Sequence, residues 1–299
     1  MIPYHIPVLA KESIDALNIK PKGVYVDATF GGGGHSKLIL DKLDTDSRLI
    51  GFDQDEDALA NVIDDDRFTF VHHNFRFLKR FLKLHGIRKV DGILADLGVS
   101  SHQLDEAERG FSYRFDAKLD MRMNQQSGEN AADLLNTLNA EALQNLFSLY
   151  GEVRNSKMLA SAIVAKRQAS SIRTIGDFLA VLDPLIRGQR NRYLAQVFQA
   201  LRIAVNDEMG ALADFFQQAG EVLNPGGRLV VITYHSIEDR LTKRLLKTGN
   251  VEGTVEKDFY GNINKPFKVM TKKAIVPTPE EIKRNPRSRS AKLRIGEMG

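Results

Sequence analysis

The sequence contains no cysteine among its 299 residues. It therefore forms no disulfide bond and offers neither a thiolate metal site nor a cysteine nucleophile, and we predict no metal site. No apolar run approaches the roughly 20 residues that a membrane-spanning helix needs. Residues 1–5 lack the basic and then apolar pattern of a secretory signal. These absences predict a cytoplasmic protein without a membrane partner.

Excess charge of one sign is also scarce, because the formal net charge at pH 7 is only +4. The composition is otherwise that of an ordinary globular protein, with 42% hydrophobic and 27% charged residues. The length allows one large domain or two modest ones. A surface for nucleic acid must therefore be sought in local clusters of basic residues.

Four consecutive glycines, at 31–34, stand between a predicted strand at 24–27 and a helical pattern at 37–43. Glycines let the backbone approach a ligand closely, and free N–H groups at a helix start would meet a nucleotide-like group. Asp53 ends the next predicted strand, where an acid binds ribose hydroxyls in open α/β sheets. The pattern therefore predicts a nucleoside site.

Two cofactor classes fit this loop, NAD and S-adenosylmethionine (SAM). The third position of the dinucleotide fingerprint is Ser36, where that fingerprint has Gly or Ala. Near the C-terminus, 265–275 and 291–295 predict two strands without a helical crossover, an arrangement that is most easily antiparallel. A mostly parallel sheet closed by an antiparallel pair is typical of SAM-dependent methyltransferases, so the pattern favours SAM.

Predicted strands alternate with helices up to about residue 104 and predict a parallel, doubly wound, Rossmann-like sheet. Residues 105–195 lack a convincing strand and predict a helical insertion between two methyltransferase segments, 1–104 and 196–299. The insertion follows the fourth strand, whose end faces the ligand crevice, so we expect it to form a lid or substrate platform. A long helix at 193–223 and a turn at 224–227 lead into the fifth strand. Thr174 is the expected cap of a helix at 175–182, and a further helix is predicted at 55–62. The second to fifth predicted strands are 48–53, 68–73, 90–99 and 228–234.

Eight sequence blocks occur in order over nearly the full length: 5–9, 27–36, 91–101, 104–112, 119–123, 198–206, 235–240 and 285–290. Together these blocks resemble the bacterial family of 16S ribosomal RNA cytosine-N4 methyltransferases. One departure is Asp116-Ala117-Lys118-Leu119, where that family has Asp-Gly-Pro-Leu. The departure removes no group with obvious chemistry.

The resemblance implies SAM-dependent N4-methylation of a cytosine in the decoding region of 16S ribosomal RNA, within the 30S subunit. It leaves open whether the protein acts as a homodimer. Three other functions share parts of the pattern: a SAM-dependent methyltransferase acting on a protein or small molecule, a nicotinamide dehydrogenase, and a ribosome-assembly factor that binds RNA without chemistry.

The resemblance also implies the residues that contact SAM. For His35 the alternative is a helix cap, for Asp53 a solvent-facing strand end, and for Phe75 an ordinary core position. Nothing in its spacing singles out Gln103. The implied cofactor-binding residues are Gly33, Gly34, His35, Asp53, Phe75, Asp96 and Gln103.

Asp96 and His235 are the candidate catalytic residues. The exocyclic amine of cytosine is a poor nucleophile because its lone pair is delocalised into the ring. An acceptor for its hydrogens favours the tetrahedral nitrogen that attacks a methyl group, and Asp96 would supply one, unless it holds the cofactor instead. His235 would accept the leaving proton. Its alternative is a structural histidine paired with Glu238 or Asp239.

Basic residues cluster at three places that suit RNA, although a charge run is usually a solvated face. Arginines at 109, 114 and 122 alternate with aromatic residues and would clamp a displaced base. A predicted helix face consists of Arg240, Lys243, Arg244 and Lys247. The tail cluster consists of Lys283, Arg284, Arg287, Arg289, Lys292 and Arg294.

Overall fold

The computed structural model describes residues 7–255 and 265–299, so His5 and Ile6 of the first block lie outside the described residues. The chain forms two compact units. The sheet unit contains the described residues up to Gly98 and from Gly210 onward, and the helical unit is Val99–Met209. Within these two ranges, each helix is too short or too polar to span a bilayer.

Seven strands in the described part of the sheet unit form one sheet. They are β1 Val24–Asp27, β2 Arg48–Asp53, β3 Phe68–His72, β4 Val90–Asp96, β5 Leu223–Thr233, β6 Phe267–Val269 and β7 Lys292–Met298. Their order is β3-β2-β1-β4-β5-β7-β6. The first five are parallel, β7 is antiparallel to β5, and β6 is antiparallel to β7. The predicted doubly wound sheet with a closing antiparallel pair is confirmed.

The α-helices surround this sheet or build the helical unit. In chain order the described helices are α1 Ala10–Leu17, α2 Gly34–Leu40, α3 Leu78–Leu84, α4 Ser101–Asp105, α5 Ala131–Thr137, α6 Ala140–Gly151, α7 Ser156–Ala169, α8 Ile175–Leu182, α9 Arg190–Val205, α10 Glu208–Val222, α11 Ser236–Thr248 and α12 Pro279–Arg284. Of these, α1, α2, α3, α10, α11 and α12 belong wholly or mainly to the sheet unit.

The centre of the sheet is apolar on both faces, as expected for parallel strands covered by helices. Leu49, Ile50 and Phe52 of β2 are all fully buried. Tyr25 of β1 is also fully buried, and it pairs with Gly92 of β4. A Cβ atom added at Gly92 would lie 2.8 Å from the Tyr25 ring, so the missing side chain makes room for that ring.

The predicted single helix at 193–223 is wrong, because the structure divides it into α9 and α10. Asn206 ends α9, and its side chain donates to the Met121 carbonyl at 2.8 Å and accepts from the Met123 N–H at 2.7 Å. Asp207 then has a φ of 46°, in the left-handed region. The break is fixed by contacts with a distant loop, which the apolar periodicity of 193–223 does not reveal.

One local prediction is refined and two need correction. The predicted turn at 224–227 is present as an irregularity inside β5, because Leu223 pairs with Val90 and Arg228 with Gly92 while the Asn224 amide donates to Asp91 at 2.9 Å. The helix predicted at 55–62 is a 3₁₀ helix, Glu56–Asn61. The connection between the last two strands contains α12 and a 3₁₀ turn, although the predicted antiparallel pairing holds.

The helical unit, Val99–Met209, extends beyond the 105–195 range predicted for the insertion. It has its own cluster of buried apolar side chains. The polar stretch that follows α4 contributes Phe111, Leu119 and Met121 to this cluster. Thr174 caps α8 as predicted, since its hydroxyl accepts the Asp177 N–H at 3.1 Å.

We expect Gly92→Ala to destabilise the protein by about 1–3 kcal/mol, because the added methyl overlaps the buried Tyr25 ring. The matched control is Gly220→Ala in α10, where an added Cβ meets no atom within 4 Å. That change should stabilise by up to about 1 kcal/mol through helix propensity. Urea unfolding of both variants checks the pair. Equal effects at the two positions would contradict the packing described for β1 and β4.

Candidate active site

Three neighbouring strands of the sheet end in aspartates. Asp27 ends β1, Asp53 ends β2 and Asp96 ends β4. The order β2-β1-β4 brings the three ends to one edge of the sheet. The chain reverses its direction of winding between β1 and β4, and ligands of doubly wound sheets bind outside the carboxyl ends of the strands at such a point.

The glycine loop lies directly beside this edge. The Gly31 N–H donates to Asp53 Oδ2 at 2.7 Å, and the Gly31 carbonyl accepts from the Asn61 side chain at 3.2 Å. Gly31 and Gly33 have φ values of 50° and 72°, which favour glycine. A Cβ atom added at Gly31 or Gly32 would meet nothing within 4 Å. The loop therefore borders open space that a ligand can occupy.

Asp27 is a buried member of the site that the sequence analysis did not single out. Its carboxylate accepts from the Ser36 hydroxyl at 2.7 Å and from the Thr29 N–H at 3.1 Å. It is 1% exposed, and this burial raises its pKa to about 6. An acid at the end of an otherwise apolar first strand, just before the glycines, was the signal that could have revealed it.

Asp53 occupies the position predicted for the ribose-binding acid. Besides Gly31, it accepts the Asp55 N–H at 2.9 Å. Burial is the main cause that raises its pKa to about 6, against the lowering effect of these two hydrogen bonds. The half-buried side chain, bonded to the glycine loop, favours the predicted role over a merely solvent-facing strand end.

Asp96 sits between a tyrosine and a histidine. Tyr234 donates its hydroxyl hydrogen to Asp96 Oδ1 at 2.8 Å, and His35 Nδ1 lies 3.7 Å from Oδ2. Burial is the main cause that raises the pKa of Asp96 to about 6, opposed by His35 and Tyr234. Tyr234 was not predicted from the sequence. Its place just beyond β5, the parallel neighbour of β4, could have indicated it.

His35 lies on α2 and is 6% exposed. Its Nε2 lies 3.1 Å from the Val8 carbonyl, which can only accept, so Nε2 carries a hydrogen and Nδ1 faces Asp96. The N-cap of α2 is Gly33, without a side-chain cap. These two contacts of the ring argue against the helix-cap alternative for His35 and place its Nδ1 beside Asp96. Direct contact of Gly33, Gly34 and His35 with SAM stays a prediction.

Two further predicted cofactor residues have structural contacts. The Phe75 ring packs edge-on against Phe215 with 5.1 Å between centroids, which favours the core alternative. Gln103 belongs to the helical unit, where it and Ser100 cap α4 reciprocally, at 3.0 and 3.1 Å. These contacts give each side chain a role in the fold, and their contact with cofactor stays a prediction.

His235 precedes α11 and caps it. Its Nδ1 accepts from the Glu238 N–H at 3.4 Å, while Nε2 lies 3.1 Å from the Glu238 carboxylate. Both ring nitrogens therefore face Glu238, a residue only 2% exposed. This geometry favours the structural alternative for His235, and its role as a proton acceptor stays a prediction.

The three strand-end carboxyls have one electrostatic property in common. Each has its pKa raised from 3.8 to about 6. The folded-state pKa of each carboxyl lies above its unfolded-state value of 3.8. The contribution of these groups to the free energy of unfolding is therefore fully present below pH 3.8, where they are protonated, and is lost as the pH rises through about 6. For a fully buried group such as Asp27 the loss is about 3 kcal/mol. At neutral pH this edge thus holds buried negative charge, which a cationic ligand would stabilise.

The basic clusters are only partly available to a nucleic acid. The predicted basic face of α11 lies on a helix, and Lys243 and Arg244 are exposed. In the tail, Arg294 and Lys292 pair with Asp239, at 2.6 and 3.5 Å. These two tail residues therefore attach β7 to α11. Exposed tail cations are Lys283, Arg284 and Arg289.

The predicted base clamp is also altered by the structure. Arg109 is 3% exposed and donates to the carbonyls of Arg122 and Met123, at 3.1 and 3.2 Å. Arg122 pairs with both carboxylate oxygens of Asp120 at 2.8 Å. These contacts assign Arg109 and Arg122 to the fold of their segment, whereas Arg114 remains exposed.

The strand order, the antiparallel closing pair and the acids around a glycine loop define a Rossmann-like, SAM-dependent methyltransferase fold. The chain belongs to the MraW methylase family, whose model matches residues 3–298. The resemblance found in the sequence is thereby confirmed.

Individual relatives can be aligned with nearly the whole chain. A ribosomal RNA small subunit methyltransferase H from Bacteroides thetaiotaomicron is 60% identical over 297 residues, which cover 99% of this chain and 98% of that protein. The protein of the same name from Flavobacterium johnsoniae is 56% identical and covers 98% and 97%. Among solved structures, an rRNA methylase from Streptococcus thermophilus aligns over 98% of each chain, with 12% identity and a TM-score of 0.41.

We expect Asp53→Ala to weaken SAM binding by about 1–3 kcal/mol, the scale of losing charge-assisted hydrogen bonds. Thermal stability should change little, because the loss of two hydrogen bonds is offset by the removal of a carboxyl whose ionised form is disfavoured in the fold. The matched control is Asp66→Ala, which removes an exposed carboxylate before β3 and should leave affinity unchanged. Isothermal titration with SAM measures both. An unchanged dissociation constant for Asp53→Ala would sink the assignment.

Proposed function

We propose that the protein transfers a methyl group from SAM to N4 of a cytosine in the decoding region of 16S ribosomal RNA. The observation that carries the proposal is the Asp96 carboxylate at the junction of β1 and β4, beside the glycine loop. Family membership over nearly the whole chain supports methyl transfer. The names of the relatives support small-subunit ribosomal RNA as substrate.

The residues at the edge fit SAM chemically. SAM carries a sulfonium cation, and three carboxylates with raised pKa values surround its proposed site. The open space beside Gly31 and Gly32 gives the cofactor access to the backbone. Asp53 would hold the ribose hydroxyls, and the glycine loop would hold the methionine end.

SAM supplies an electrophilic methyl carbon, and the protein's task is to orient the attacking nitrogen. Asp96 would accept a hydrogen of the cytosine amine, which favours the tetrahedral nitrogen whose lone pair can attack. A pKa of about 6 leaves Asp96 ionised at neutral pH and still able to receive the proton that the amine loses. The backbone carbonyls of residues 97–99 would provide a second acceptor.

RNA would be held mainly through its phosphates. The exposed lysine and arginine side chains on α11 and in the tail suit such contacts, because every RNA carries negatively charged phosphates along its backbone. The helical unit would serve as the substrate platform. The 30S subunit would be the natural substrate, in the cytoplasm.

The alternative is a SAM-dependent methyltransferase acting on a protein or small molecule. It needs the glycine loop and Asp53 but no phosphate-binding surface. Tritium transfer from labelled SAM to 16S RNA and to 30S subunits, both taken from a strain lacking this protein, separates the two. We expect label in the RNA and N4-methylcytidine in its nuclease digest by mass spectrometry. SAM binding without label in either RNA would favour the alternative.

Salt dependence tests the phosphate contacts. Binding should weaken with salt, with a log–log slope near −0.7 per contact for single-stranded regions. Changing Lys243 and Arg244 together to Glu should flatten the slope and raise KM for RNA, without changing SAM affinity or the choice of cytosine.

The control for that experiment changes Lys83 and Arg88 to Glu. These two residues are exposed, carry the same charge and lie before β4, at the opposite end of the strands from Asp96. The control variant should keep the wild-type slope. Equal slopes for all three proteins would identify the α11 cluster as a solvated face.

A further inference from the structure

Tyr234 has a well-defined position at the edge of the sheet. It follows β5 directly, and Ile232 of that strand pairs with Asp96 of β4. Its backbone N–H donates to Glu238 Oε2 at 2.8 Å, which anchors it to the start of α11. Its ring lies against Gly98, where an added Cβ would be 3.5 Å from the ring. The backbone and the ring of Tyr234 are therefore both held in place, and together they position its hydroxyl.

The hydroxyl can act only as a donor to Asp96. Burial and the nearby carboxylates raise the pKa of Tyr234 well above 10, so the hydrogen stays on its oxygen at any working pH. It donates to Asp96 Oδ1 at 2.8 Å, whereas the His35 ring nitrogen is 3.7 Å from Oδ2. Tyr234 therefore makes the shorter contact, and it fixes the orientation of the carboxylate.

Several groups determine how readily Asp96 ionises. The carboxyls from β1 and α11 disfavour a further negative charge, while the tyrosine and the histidine favour it. A carboxylate of α12 faces Tyr234 itself. The groups concerned are Asp27, Glu238, Tyr234, His35 and Glu281.

We propose that Tyr234 is a positioning residue, which holds Asp96 by one oxygen and keeps it ionised at neutral pH for the cytosine amine. This proposal rests on the proposed function, since it assigns Asp96 the role of acceptor. A carboxylate has about four lone-pair sites on its two oxygens. The tyrosine occupies one of them and directs the rest, so the orientation of Asp96 is set before RNA arrives.

Tyr234→Phe keeps the ring against Gly98 and removes only the hydroxyl, so the fold should persist. Without that hydrogen bond the pKa of Asp96 should rise by about one pH unit. Carbon-13 NMR of aspartate-labelled protein measures this titration, and Asp96→Asn assigns the resonance. The measurement needs neither RNA nor methyl transfer, so it tests Tyr234 even if the proposed substrate is wrong.

Kinetics provide the second readout. The acid limb of the rate–pH profile on 30S subunits should move up by about one pH unit in Tyr234→Phe. At pH 7 the smaller ionised fraction of Asp96 should lower kcat about twofold. Lost orientation of the carboxylate should bring the total fall to about tenfold, with little change in KM for SAM, since the lost contact is to the acceptor.

The control is Tyr25→Phe, which removes another buried hydroxyl, the acceptor of the Lys20 N–H at 2.6 Å. It should lower stability and leave both the Asp96 titration and the pH profile unchanged. An Asp96 titration in Tyr234→Phe that matches wild type would overturn the proposal. Absence of methyl transfer in wild type, with the titration shifted as expected, would instead overturn the proposed substrate.

Discussion

The structure depends on one electrostatic constraint: three aspartates end neighbouring parallel strands at the same buried edge. Parallel pairing of β1 with β2 and β4 forces Asp27, Asp53 and Asp96 together. Burial raises all three pKa values, so the edge is costly to ionise without a cation. This cost is the kind of instability that functional sites retain, because a positively charged cofactor converts it into binding free energy.

Each aspartate is attached to a different part of the surrounding structure. Asp53 bonds the glycine loop, Asp27 bonds Ser36 of α2, and Asp96 bonds Tyr234 beyond β5. The loop, the helix and the strand end are therefore oriented by the same acids that would meet the cofactor. The contacts that complete this edge of the sheet are consequently also the contacts that arrange the proposed site.

Much of the fold and part of the candidate site could be predicted from the sequence, because strands and the glycine loop are set by residues that are close together in the chain. The strand periodicity located β1 to β5 closely, and the glycine run followed by Asp53 located the loop and its acid. The break between α9 and α10 was not predicted, because Asn206 is held by Met121 and Met123, which are distant in sequence. Tyr234 and the burial of Arg109 were missed for the same reason, since hydrogen bonds across the fold leave no periodic pattern.

The central claim is that a cationic cofactor binds against these three carboxylates. Isothermal titration of SAM at pH 6 and pH 8, in buffers of different ionisation enthalpy, counts the protons exchanged on binding. Carboxyls with pKa values of about 6 are partly protonated at pH 6, so binding next to a sulfonium should release protons there. At pH 8 the carboxyls are already ionised, and their contribution to proton release should vanish. Equal proton exchange at the two pH values, or uptake at pH 6, would contradict the claim.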